Sequence, residues 1–228
     1  IIRMIYEKKF IFRRTILDIP LLVFLGSQLI STLFSIDQGT SWLGYYSRFN
    51  GGMFSVISYS ILYWAFVTNI DAKRTLKLIY ITLASAAFVS IYGVLEHFGI
   101  DKTIWVQDVA SRVFSTLGQP NWLSAWLVAL MPITWILLVK SNIKSKSFWV
   151  YFLLSALYFW TLIFTKSRSG LLGFSVAFFV FWGFMFWSKR MKIIDIVKPF
   201  IVISSSLLVI CLISGTQFTP SLNNLISK

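Results

Sequence analysis

Apolar residues in this chain run on without alternating and without keeping to one helical face. Seven stretches, at 19–36, 53–70, 76–95, 122–139, 148–165, 170–187 and 197–214, are long and nearly free of charge. The strongest, 148–165 and 170–187, contain no charge at all. A spanning helix needs about 20 mostly apolar residues. In hydrocarbon each backbone N–H and C=O must be bonded within its own segment, so such runs are expected as helices. Continuous apolarity argues against a membrane β-barrel, whose strands alternate. The expected fold is all-α: a polytopic bundle of about seven transmembrane helices, forming a single transmembrane domain over 1–228. Pro20 suits a first helical turn, and Pro132, inside the fourth run, predicts a kink.

The loops between the runs differ in charge. Five basic residues precede the first run (Arg3, Lys8, Lys9, Arg13 and Arg14). The next loop holds only Arg48, and the following one holds Lys73, Arg74 and Lys77. Taken alternately along the chain, one set of loops carries 15 Lys and Arg and the other 6. The positive-inside bias puts the richer set in the cytoplasm. That places the N-terminus inside and residues 215–228 outside.

Composition changes the picture in two ways. The chain is 57% hydrophobic and only 13% charged, whereas soluble domains carry about 25% charge. The formal net charge of +13 would suggest nucleic acid in a soluble protein. Here the cations flank apolar runs, so the expected partner is the anionic surface of membrane lipids and not nucleic acid. One cysteine, Cys211, excludes an internal disulfide, and one histidine, His97, excludes a Cys/His metal cluster. No cofactor is expected. Neither a fixed-period repeat nor a cleavable signal sequence is visible. The chain begins at Ile1 and stops in a polar stretch, which suggests a piece of a longer protein.

The outer loops hold the unusual residues. The first, Ser35 to Gly52, combines glycines with Trp42, Tyr45, Tyr46 and Arg48. It reads either as an interfacial aromatic belt or as a binding loop. The second and longest runs from Glu96 to Pro120. Arg112, Asn121 as a helix cap, and the helix start behind it could together face an anion; a capped helix beside a surface arginine is the plainer reading. The third is a tight turn, Thr165-Lys166-Ser167-Arg168-Ser169-Gly170. Two cations held there run against the positive-inside bias, which favours an anion site over snorkelling anchors. Glu96 and His97 could form a proton shuttle at the interface, or His97 could simply hydrogen-bond a neighbour. Buried carboxylates are not expected within the runs, which argues against a proton-driven pump.

Four pieces together resemble the O-antigen ligase and O-antigen polymerase family of bacterial membrane proteins. They are Ser31 to Asp37, Gly44 to Gly52, Phe114-Ser115-Thr116-Leu117-Gly118-Gln119-Pro120-Asn121, and Thr165 to Gly170. The family's usual pattern is G-N-P-N at the start of one span and T-G-S-R-G between two later ones. This chain departs from it at Gln119, Lys166 and Ser169. The resemblance implies a GT-C-like fold in the bacterial cytoplasmic membrane. It implies metal-independent transfer of a glycan from an undecaprenyl diphosphate carrier, on the outer face, to a lipid A-core, glycan or protein hydroxyl acceptor. Arg112 and Arg168 match the family's donor-binding arginines, with Lys166, Asn121 and Arg48 as further substrate-binding candidates. The family's catalytic histidine lies in a large loop after the seventh span, so it is expected beyond residue 228, with this fragment inactive alone. Ligase and polymerase readings both remain open, and a transporter or flippase is the alternative from another class.

Overall fold

A computed structural model describes residues 12–46, 49–106, 108–188 and 191–215. Every regular element among them is helical: α1 (Asp18–Leu33), α2 (Gln38–Leu43), α3 (Met53–Asn69), α4 (Ala72–His97), α5 (Pro120–Lys140), α6 (Lys146–Phe164), α7 (Arg168–Trp187) and α8 (Ile193–Ser214), with a 3-10 turn at Ser115–Leu117. Five of them, α4 to α8, are long and apolar enough to cross a membrane. The runs expected at 19–36 and 53–70 form α1 and α3, of 16 and 17 residues. At 1.5 Å per residue these reach about 25 Å, short of the roughly 30 Å of hydrocarbon. A capped turn follows each of them. Asp37 caps α2 by accepting from Thr40 N at 3.2 Å, just after α1. Asp71 accepts from Arg74 N at 2.7 Å and opens α4 just after α3.

The chain divides into two compact units, Ile1–Leu78 and Ile79–Lys228. In the first, Trp64 donates its indole N–H to Asp18 Oδ1 at 3.0 Å, and Thr15 Oγ1 shares a hydrogen bond with Tyr63 at 2.9 Å. These tie α1 to α3. Beyond α2 the chain folds back sharply, with Tyr45 N donating to Asn50 O at 3.0 Å. Gly44, at φ +89°, allows that return, since a Cβ there would overlap the Asn50 carbonyl.

In the second unit α5 packs against α6, α7 and α8. Leu123, Leu127, Met131, Trp135 and Leu138 are fully buried at helical spacing along α5. Trp135 donates to Ser155 Oγ at 2.8 Å, and Tyr158 OH donates to Leu83 O at 2.6 Å. These two buried polar tips are thus satisfied across helices, as a hydrocarbon surround favours. The helix α5 runs unbroken through Pro132. The outward faces are the reverse of a soluble protein's: Leu153, Phe179 and Leu208 are 62%, 73% and 60% exposed. Such a broad apolar exterior suits lipid contact, and with the five long apolar helices it makes this a multi-pass membrane protein.

Candidate functional site

Two loops of the second unit meet at one end of the bundle. Val113 N donates to Phe164 O at 3.1 Å, which draws the segment before α5 onto the end of α6. Arg112 then donates from Nε to Thr165 O at 3.3 Å and from a terminal guanidinium nitrogen to Asn121 Oδ1 at 3.2 Å. The same Asn121 oxygen accepts from Ser167 Oγ at 2.9 Å. Ser167 in turn caps α7, accepting from Gly170 N at 3.1 Å, and shares a bond of 3.2 Å with Ser169 Oγ. Arg112, Asn121, Lys166, Arg168 and Ser169 line a cavity of about 540 Å³. Its rim is exposed, while Thr165, Ser167 and Gly170 beneath are buried. Three cations line it and no carboxylate does.

Four of the five residues singled out in the sequence therefore share one cavity. The fifth, Arg48, lies outside the described residues. Asn121 does not cap α5, as the sequence suggests. The cap position is Gln119, which makes no side-chain cap bond, with Pro120 in the first turn. Asn121 instead joins Arg112 to Ser167. Helices α5 and α7 both begin at the cavity, so the positive ends of two helix dipoles add to the cations. Their starts come close because residue 170 is glycine: a Cβ there would lie 2.5 Å from Ser124 Cβ.

Lys166 sits at φ +47°, just past the end of α6. That is the left-handed position where helices commonly end in glycine. A lysine there carries a backbone cost, and retained strain of this kind concentrates at functional sites.

Glu96 is the feature that sequence reading misplaces. It lies at the end of α4 and is fully buried. Its Oε2 accepts from Phe114 N at 3.0 Å and Ser115 N at 2.7 Å, across 18 and 19 residues. Ser115, at φ +51°, also donates from Oγ to Val89 O at 2.7 Å. Of the two readings of His97, the plainer one holds: it hydrogen-bonds a neighbour and no shuttle with Glu96 is assembled. His97 Nδ1 bonds Ala110 O at 2.8 Å, and its ring stacks on Phe164 at 3.7 Å. Both residues brace the loop that carries Arg112. The buried Glu96 carboxylate lies just past the run at 76–95, at the end of α4. Nearby, Asp101 accepts from Tyr92 OH and from Trp105 Nε1, which hold its carboxyl below the usual range.

Comparison with protein-family models, curated proteins and solved structures finds no match to this chain.

Proposed function

We propose that this chain belongs to a membrane-embedded glycan transferase of the O-antigen ligase-like kind, and that the cavity at Arg112 and Arg168 holds the diphosphate of an undecaprenyl diphosphate-linked glycan. The observation that carries the reading is the gathering of three cations, with no carboxylate, at two helix starts. Guanidinium groups bind phosphate oxygens bidentately and keep their charge at every working pH. When the bond between the sugar's anomeric carbon and the diphosphate oxygen breaks, negative charge grows on the leaving diphosphate. Fixed cations then stabilise the transition state more than the ground state. The acceptor would be a hydroxyl of a lipid-linked core, a glycan or a protein.

The test is a ladder of three ligands on the reconstituted chain. Undecaprenyl diphosphate should bind at least about tenfold tighter than undecaprenyl monophosphate, and undecaprenol weakest, since each charge-assisted bond adds about 1.5–3 kcal/mol. Equal binding of all three would remove the diphosphate reading.

The proposal includes orientation. All seven apolar helices cross the membrane, the short α1 and α3 by local thinning of the bilayer. The basic loops then lie in the cytoplasm and the arginine cavity outside. In a Cys211→Ser background, Thr116→Cys should react with an impermeant thiol reagent from outside and Lys144→Cys only after permeabilisation. Labelling of both from the same side would refute that arrangement.

A further inference from the structure

The end of the second unit opposite the arginine cavity carries a different site. Helix α5 ends there at Lys140, and α6 and α8 begin there. Between them lies a pocket of about 320 Å³ lined by Lys140, Asn142, Phe148, Asp195, Lys198 and Pro199, among others. Its floor is apolar, since Phe148 is fully buried. Neither lysine of the pocket is within ion-pair distance of a described carboxylate, and with Asp195 in the lining the pocket keeps one net positive charge.

A second cavity, of about 650 Å³ and almost wholly apolar, starts one helical turn deeper between the same two helices. On α6, Phe148 of the polar pocket is followed at four-residue steps by Phe152, Ala156 and Trp160 of the groove. On α8, Asp195, Lys198 and Pro199 are followed on the same face by Val202, Ser206 and Val209. The two cavities are therefore successive parts of one stripe. From Phe148 to Trp160 the helix rises about 18 Å, close to the roughly 15 Å depth of one leaflet.

We infer that this stripe is a binding site for one anionic glycerophospholipid, with its phosphate on Lys140 and Lys198 and an acyl chain in the groove below. Two ammonium groups at headgroup depth match a lipid phosphate, as basic pockets between membrane helices do. Asp195 accepts from a headgroup hydroxyl, which favours a glycerol headgroup over a bare phosphate. The groove, about 12 Å of helix rise from Phe152 to Trp160, takes most of a chain within one leaflet. This inference does not depend on the glycan-transfer reading, because the cavity tested there lies at the other end of the bundle.

The experiment is native mass spectrometry of the whole chain, with phosphatidylglycerol and phosphatidylcholine of identical acyl chains. Wild type should retain one phosphatidylglycerol in preference to phosphatidylcholine. Each lysine near the surface is worth about fivefold, so the combined Lys140→Ala/Lys198→Ala variant should lose about 25-fold of that preference. Lys144→Ala, at the same end but outside the pocket, should keep it. Leu153→Trp, which fills the groove from its exposed side, should lower retention of both lipids while α-helical content stays unchanged. Equal retention of the two lipids by wild type would overturn the proposal, as would a preference that survives the double substitution. Displacement of phosphatidylglycerol by an equal concentration of soluble glycerol phosphate would make this a free-phosphate site instead. Retention of undecaprenyl phosphate that ignores the lysines would make the groove a polyprenyl site, and either result refutes the lipid assignment.

Discussion

Arg112→Ala and Arg168→Ala should each weaken undecaprenyl diphosphate binding by about ten- to a hundredfold, the loss expected for one charge-assisted bond of roughly 1.5–3 kcal/mol. Both arginines line the same cavity, so the two losses should not simply add when combined. Arg168→Lys keeps a charge but not the planar fork, and should remain clearly impaired. Lys144→Ala, on the loop at the far end of α5 and α6, serves as the control and should bind as wild type. Arg112 carries an extra cost, because its guanidinium also joins Thr165 O to Asn121. Its alanine variant should therefore lose some thermal stability as well as affinity. The measurement is ligand affinity at matched folding, judged by thermal unfolding of each variant. Wild-type affinity in both alanine variants would return these residues to the role of interfacial anchors.

The parts of this architecture that were legible are those fixed by composition over a helix's length. Long, nearly uncharged runs predicted α4 to α8 within a few residues, because in lipid an apolar segment has one way to satisfy its backbone. The runs that form the two short helices, α1 and α3, are followed by Asp37 and Asp71. Both runs stop at these carboxylates, and the helices match the runs to within three residues and one, whereas α4 to α8 extend beyond their runs on at least one side. Within the site, the basic character of two separate loops was readable, and the fold brings Arg112, Lys166 and Arg168 to one cavity. The supports were not readable. Asn121 looked like a cap because it precedes an apolar run, yet its oxygen is taken by Arg112 and Ser167. Thr165 acts through its backbone carbonyl, which any residue would supply. The left-handed backbone at Lys166 follows from the way α6 ends.

Glu96→Ala should have the largest effect on the fold around the site. The substitution leaves the Phe114 and Ser115 amides without their acceptor, in residues that are each 3% exposed. A buried donor left unmade costs about 1–3 kcal/mol, so the pair should lower stability by at least about 2 kcal/mol. The consequence for binding follows from chain direction. Arg112 lies two residues before Phe114, and the Glu96 carboxylate is what holds that segment to α4 while Val113 N holds it to α6. Freed on the α4 side, Arg112 would sample positions away from Thr165 and Asn121, and diphosphate affinity should fall even though no ligand contact has been removed. Glu96→Gln retains an oxygen that can accept from both amides, and should recover most of the stability and most of the affinity. A double-substitution cycle separates this positioning effect from general loosening. In an Arg112→Ala background, Glu96→Ala should cost much less affinity than in wild type, because the group it positions is gone. An equal cost in both backgrounds would show that Glu96 supports the bundle without orienting Arg112.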